Sequence, residues 1–313
     1  MADMMALRAH TRGGPEVLVY EAAPRPTPGD GELLIAVHAA AITFAELTWP
    51  ETWTSGGRDR TPIIPSHEFC GVVAEVGGDA ADFAVGDQVY GLVPFDRDGA
   101  AAEYVAVPQS HVAAKPGTLS HVVAAALPLP ALTAWQTLVD HAAVQPGHRV
   151  LVHGSGGAVG AFVTQLGASL GARVTGTAFS ADAERVRAFG AERVIDVERE
   201  RIDAETEAFD VAVDAVGRGA PDALFAALRR GGTLITLQEP ASQETADRYG
   251  VRTVFFIVAP DRTGLTRMAD LADAGKLDVP IAGTFPLSKG RAAFESRGQR
   301  PHPPGKAVLV VRD

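Results

Sequence analysis

The stretch Arg149-Val-Leu-Val-His-Gly154-Ser-Gly156-Gly157-Ala-Val-Gly160-Ala-Phe162, continuing to Arg173-Val-Thr-Gly-Thr-Ala-Phe179, decides how this chain is read. A short apolar run, Val150 to Val152, enters a loop with glycines at 154, 156, 157 and 160. Val159, Phe162, Val163, Leu166 and Leu170 then recur at three- and four-residue steps, which predicts a helix with one apolar face. Gly171 marks its stop, and Val174 to Ala178 reads as a second strand. Strand, glycine loop, helix and strand make a βαβ unit, the context in which such glycines do more than turn the chain. Without Cβ atoms the loop turns tightly and lets a pyrophosphate approach amides at a helix N-terminus. Gly154, Ser155, Gly156, Gly157, Ala158, Val159 and Gly160 are therefore the expected cofactor-binding set.

Composition narrows the class. A chain of 313 residues suggests about two domains, and 46% hydrophobic residues can build a sizeable core. The net charge of −10, with scattered Lys and Arg, argues against nucleic acid and against an anionic membrane surface. The longest apolar runs, such as Val122 to Leu132, are broken by Pro128 and Pro130, so no membrane span is expected. The start, Met1-Ala-Asp-Met-Met-Ala-Leu-Arg8, lacks a basic-then-apolar layout, and a cytoplasmic protein is the expectation. A single cysteine, Cys70, excludes an intramolecular disulfide framework and a multi-cysteine zinc site.

From residue 5 to 115 the chain reads as short β elements between turns, with strands at Glu32 to His38, Gly71 to Gly77 and Ala102 to Val107. Leu47 to Thr61, with Trp49 and Trp53, has no clear period and is long enough to be functional; its tryptophans could wall a flat apolar pocket or anchor the loop. After Leu119 helices and strands alternate: helix Ala181 to Phe189, strands Arg193 to Asp196 and Phe209 to Asp214, helix Pro221 to Arg230, strand Gly232 to Leu237 and strand Val254 to Val258. That alternation predicts a parallel sheet covered by helices. A helix from Leu265 to Ala274 and a closing strand, Ala307 to Val311, follow.

Together the segments Gly13 to Leu18, Pro28 to Ala40, Gly71 to Gly77, Gly86 to Gly91, Leu127 to Gln136, the glycine loop, Phe209 to Gly217, Ala274 to Leu277 and Gly305 to Leu309 resemble the medium-chain dehydrogenase/reductase superfamily. The likeness is greatest to its zinc-free quinone oxidoreductase branch. The resemblance implies an α/β protein in which a GroES-like β-rich catalytic domain (1–118) precedes a Rossmann doubly wound parallel sheet (119–260), and a C-terminal return (261–313) completes the first domain. The cofactor is then expected between the domains.

The resemblance also directs attention to particular residues. Zinc-dependent relatives carry a cysteine in the segment matching Ala41 to Glu46; here Thr43 stands there, ahead of Ser66-His67-Glu68. A neutral hydroxyl is a poor substitute for a thiolate, and catalytic zinc needs three protein ligands, so no metal is expected and His67 reads as a hydrogen-bonding residue. The second strand ends Thr177-Ala178-Phe179-Ser180 without the acid that holds an NAD ribose, which favours NADPH without excluding NADH. Ser180 and Arg185, with Arg218 as a further candidate, offer themselves to the 2′-phosphate. Thr43 is expected to position nicotinamide or substrate, Trp49 and Trp53 to wall the acceptor pocket, and Thr133 to stand beside the nicotinamide. The expected activity is an NADPH-dependent, zinc-independent reduction of a quinone or similar conjugated carbonyl. An enone or enoyl reductase, and a cofactor-binding sensor without turnover, are the alternatives. A homodimer through the edge of the Rossmann sheet is the expected assembly.

Overall fold

Val150, Leu151 and Val152 are wholly buried in a six-stranded parallel sheet in the computed structural model, which describes residues 3–202, 206–217, 221–296 and 304–312. Counted along the chain, the strands are Arg149–His153, Arg173–Ala178, Arg193–Asp196, Phe209–Asp214, Leu228–Thr236 and Arg252–Phe255. In space they lie in the order third, second, first, fourth, fifth, sixth. The order reverses between the first and fourth strands, where an open α/β sheet receives its ligand at the strand C-termini. The glycine loop leaves the sheet at that switch point and opens the helix Ala158–Ser169, whose Phe162, Val163 and Leu166 are buried as their spacing predicts. This unit occupies the continuous stretch Pro130–Val258.

The fifth strand starts four residues before the expected Gly232, because Leu228 already pairs with Phe209 across an irregular register. The preceding helix therefore stops at Ala227. The sixth strand is the sheet edge, and it carries exposed Phe255 with exposed Ile257 just beyond it.

The second unit joins Met1–Leu129 to Ala259–Asp313. Its main sheet holds Ile281–Pro286, Lys306–Val310, Glu32–Ile42, Glu68–Val76, Gln88–Leu92 and Val112–Ala114 in that order, with Tyr104–Pro108 also paired to Glu32–Ile42. Alternation predicted a strand from Glu32 to His38; it runs on to Ile42 because Ala39, Ala40 and Ala41 are small enough to lie fully buried between neighbours. The sequence texture changes at Leu119, yet helix His121–Ala125 still packs on strands Glu32–Ile42 and Glu68–Val76, and the unit continues to Leu129. Register decides what meets at one end of this sheet: Ala307 lies opposite Ile42, and Ala41 opposite Glu68. Lys306, Thr43 and Glu68 are thereby brought side by side.

Among the described residues no helix is long and apolar enough to cross a membrane. Tyr90 is fully buried, and its hydroxyl donates to the Leu265 carbonyl at 2.5 Å, tying the strand Gln88–Leu92 to the helix Arg262–Asp273. Tyr90→Phe keeps the ring and loses this bond, so denaturant melts should show a stability loss of about 1 kcal/mol.

Candidate functional site

The glycine loop is shaped by close backbone approach. Gly154 sits at φ +90°, a conformation that side chains with a Cβ rarely adopt. A Cβ at Gly160 would fall on the Gly154 carbonyl, so the helix and the strand end can meet this closely only with glycine at 160. Gly157 caps the helix, and the first-turn amides at 158–160 have no acceptor one turn back. This is a cradle of backbone donors that fits a pyrophosphate.

Residues outside the loop hold it in shape. Thr177 Oγ1 accepts from the Gly154 amide at 3.0 Å and lies 2.9 Å from His153 Nδ1. The buried hydroxyl of Ser155 donates back to the Val152 carbonyl at 3.1 Å, so Ser155 fastens the loop to its own strand. Asp214, at the end of the fourth strand, accepts from the amides of Val216 and Gly217 at 3.0 and 2.9 Å. Thr177, His153 and Asp214 belong to no motif, and the sequence signal for them is their place at the C-terminal ends of strands. Thr133 is buried in the helix Pro128–Trp135.

The side chains expected to take a 2′-phosphate are already engaged. Ser180 Oγ donates to Asp196 Oδ2 at 2.5 Å, and its amide donates to Glu198 Oε2 at 3.0 Å. Arg185 donates to the Gly156 carbonyl at 3.2 Å and pairs with Asp182 at 3.0 Å. Arg218 lies outside the described residues.

In the other unit, the Lys306 ammonium donates to Thr43 Oγ1 at 2.6 Å and forms an ion pair with Glu68. Glu68 also accepts from the Leu129 amide at 3.1 Å. All three charged or polar partners here are largely withdrawn from water: Lys306 and Glu68 are buried and Thr43 is half-buried. Nearby, Glu46 accepts from the Ser66 amide at 3.0 Å and weakly from the Thr43 amide at 3.4 Å. Burial pushes the Glu46 carboxyl up to about 8, against the pull of Lys306. Burial also drives His67 down to about 3, so its ring is neutral. Neither His67 nitrogen has a hydrogen-bond partner; Glu46 Oε2 is 3.9 Å from Nε2, and the ring meets Phe95 edge-on at 5.1 Å. The ring is packed against Phe95, and the backbone of Pro94 and Val93 favours its protonated form without offsetting burial. Among the described residues no three His, Cys, Asp or Glu side chains are grouped to share a metal. Thr43, the residue in the cysteine position, already accepts from a cation.

The tryptophans separate. Trp53 is 3% exposed, belongs to the core and donates to the Leu47 carbonyl at 2.9 Å, so it anchors its loop and walls no open pocket. Trp49 is partly exposed and packs edge-on against Phe95 at 5.4 Å, beside His67. Cys70 is buried with its sulfur 3.1 Å from His121 Nδ1, and burial pushes the thiol up.

Residues 29–117 match the alcohol dehydrogenase GroES-like domain family, and residues 189–309 the zinc-binding dehydrogenase family. A probable zinc-binding oxidoreductase, mitochondrial, from Arthroderma benhamiae is 30% identical, across 94% of this chain and 93% of its own length. The NADPH-dependent alkenal/one oxidoreductase, chloroplastic, of Arabidopsis thaliana is also 30% identical, across 95% of this chain and 77% of its own. The structure of the quinone oxidoreductase from Coxiella burnetii superposes with a TM-score of 0.88 at 28% identity, covering 99% of this chain and 100% of that one. Both sequence relatives carry organelle names, against the cytoplasmic expectation.

Gly160→Ala should weaken binding of a reduced nicotinamide dinucleotide at least tenfold (about 1.4 kcal/mol) in a fluorescence titration, because its methyl meets backbone that cannot give way. The buried carboxyl makes a second, pH-resolved prediction. Unfolded, Glu46 ionises near 4.5, whereas folded it keeps its proton to about 8. Its contribution is full below about 4.5 and is lost as pH rises toward 8. His67 acts oppositely, contributing fully above 6.5 and losing that as pH falls toward about 3. Glu46→Gln keeps an acceptor for Ser66 and should flatten the decline of Tm on the alkaline side, leaving the acid limb in place.

Proposed function

We propose, for a chain that belongs to the medium-chain dehydrogenase/reductase superfamily in its quinone oxidoreductase-like branch, the reduction of a quinone or similar conjugated carbonyl without zinc. It is an oxidoreductase of that superfamily, and its coenzyme is a nicotinamide dinucleotide. The observation that carries the finer reading is the Lys306–Thr43–Glu68 corner. Where zinc-dependent relatives have a thiolate, this chain has a hydroxyl whose oxygen accepts from an ammonium, and a metal ion brought there would meet that charge at close range. One zinc per chain in purified protein would overturn the metal-free reading, although the matched family is described as zinc-binding.

When bound, reduced nicotinamide supplies the hydride. The cradle at 154–160 holds the pyrophosphate. Because Thr43 Oγ1 accepts from Lys306, its own hydrogen is left to donate, and Thr43 offers it to the nicotinamide amide or to oxygen gaining charge on the acceptor. Trp49 supplies an apolar wall.

A second reading, reduction of a carbon–carbon double bond in an enone, is supported by the name of the Arabidopsis relative. The same corner serves it, since charge again gathers on a carbonyl oxygen. A panel of a quinone, a 2-alkenal and an enoyl thioester separates the two, and tight coenzyme binding without turnover on any of them supports a sensor. For the coenzyme, NADPH is supported by the missing acid at Phe179 and by that relative's name; the carboxylates holding Ser180 count against it. A homodimer through Arg252–Phe255 is part of the proposal, supported by an exposed apolar edge that needs cover. A monomer by light scattering would refute it.

Thr43→Val should lower kcat/KM about 100-fold on the accepted substrate; a coenzyme dissociation constant within about twofold of wild type assigns the Thr43 hydrogen to the acceptor oxygen, and one weaker by about fivefold assigns it to the nicotinamide amide. Thr43→Ser should restore most of the rate. Equal losses in both variants, or an unchanged rate in the valine form, would remove Thr43 from the chemistry.

A further inference from the structure

We propose that the adenosine end of the dinucleotide site is built for a free 2′-hydroxyl, so that the chain prefers NADH, with Asp196 and Glu198 as its specificity-determining residues. The inference rests on the proposed dinucleotide site and concerns which coenzyme that site accepts.

The usual NAD-holding acid belongs at the end of the second strand, and this chain has Phe179 there, 60% exposed, followed by Ser180. Parallel pairing delivers a replacement from the neighbouring strand. Ala178 lies opposite Asp196, so both strands end level and Asp196 stands next to the position left without an acid. The chain then turns, and the Glu198 amide donates to Asp196 Oδ1 at 3.0 Å, which brings the second carboxylate back toward the same place. The two carboxylates take both donors of Ser180, hydroxyl and amide. The hydrogen bond from Ser180 also holds the Asp196 carboxyl below its ordinary range, so it is charged at neutral pH.

A 2′-phosphate needs hydrogen-bond donors and positive charge. Here the nearest hydroxyl and amide are committed to carboxylates, and Arg185 is turned by its Nη2 toward Asp182, which offsets its charge, and toward the Gly156 carbonyl, with its Nε buried. Arg199 lies 3.6 Å from Asp196, but its side chain is largely in solvent, where an ion pair has little hold. A phosphate entering this place meets at least two negative charges at short range. A ribose hydroxyl meets acceptors with lone pairs to spare, because a carboxylate accepts more bonds than Ser180 and the Glu198 amide provide.

The test is binding by isothermal titration, with NADH, NADPH, 5′-AMP and adenosine 2′,5′-bisphosphate as probes. Wild type should bind NADH at least tenfold more tightly than NADPH, and 5′-AMP more tightly than the bisphosphate. Asp196→Asn with Glu198→Gln keeps acceptors for Ser180 and should narrow the ratio about tenfold. Should that double variant fail to fold, the wild-type ratio itself should shrink between about 0.05 and about 0.5 M salt, since screening weakens repulsion and leaves neutral hydrogen bonds alone. NADPH binding as tightly as NADH or more so, or a ratio indifferent both to the substitutions and to salt, overturns the inference and leaves the dinucleotide reading intact. Failure of both coenzymes to bind overturns that reading as well, and the inference with it.

Discussion

One ammonium serves two buried carboxyls at the end of the second unit's sheet, and the chemistry proposed there depends on that shortage. Lys306 is paired with Glu68, leaving Glu46 without a contacting cation. Each charge taken from water carries a desolvation cost of several kcal/mol, which a close pair offsets and a lone carboxylate cannot. Glu46 therefore keeps its proton, while burial raises Glu68 as well and the contact with Lys306 opposes that rise. The same ammonium turns the Thr43 oxygen into an acceptor, which fixes the direction in which that hydroxyl can donate. Charge balance, burial and hydroxyl orientation are one problem at this corner, solved by one side chain.

How much of this is legible from residues alone follows from how far apart the interacting parts lie. The strand, glycine loop and helix around Gly154 to Gly160 form within some thirty residues, and period and turn chemistry disclose them. The Lys306–Thr43 bond spans 263 residues, and no local pattern announces it. Lys306 appeared in the sequence only as part of a segment that resembles a family. Trp53 shows another limit. An aromatic in an aperiodic loop reads equally as pocket wall or anchor, and only its burial and its bond to Leu47 distinguish them. At Ser180 the sequence shows a missing acid on one strand, whereas parallel pairing brings Asp196 from the next and the turn after it brings Glu198.

The two candidate sites are built in different ways. At the glycine loop the groups proposed to face a ligand are main-chain amides, so the residues matter chiefly for what they lack, as at Gly160. At the sheet corner the groups are side chains whose meeting is set by strand register, Ala307 against Ile42 and Ala41 against Glu68. A slip of one residue in either pairing would turn these side chains to the opposite face.

The chain position of Lys306 reaches into how the protein comes to be folded. The Rossmann unit is a continuous stretch, and it can condense from contacts among its own neighbours. The other unit encloses it in sequence, and its two carboxyls face an apolar interior with no counter-charge until the strand Lys306–Val310 docks beside Glu32–Ile42. Nascent chains emerge N-terminus first, so the earliest-made unit is the last to be completed. Closing that long loop is an entropic step taken late, offset by burial of Ala307, Val308 and Leu309 and by the contact of Lys306 with Glu68. The segment made first is thus completed only by the segment made last, with a single lysine as the final piece.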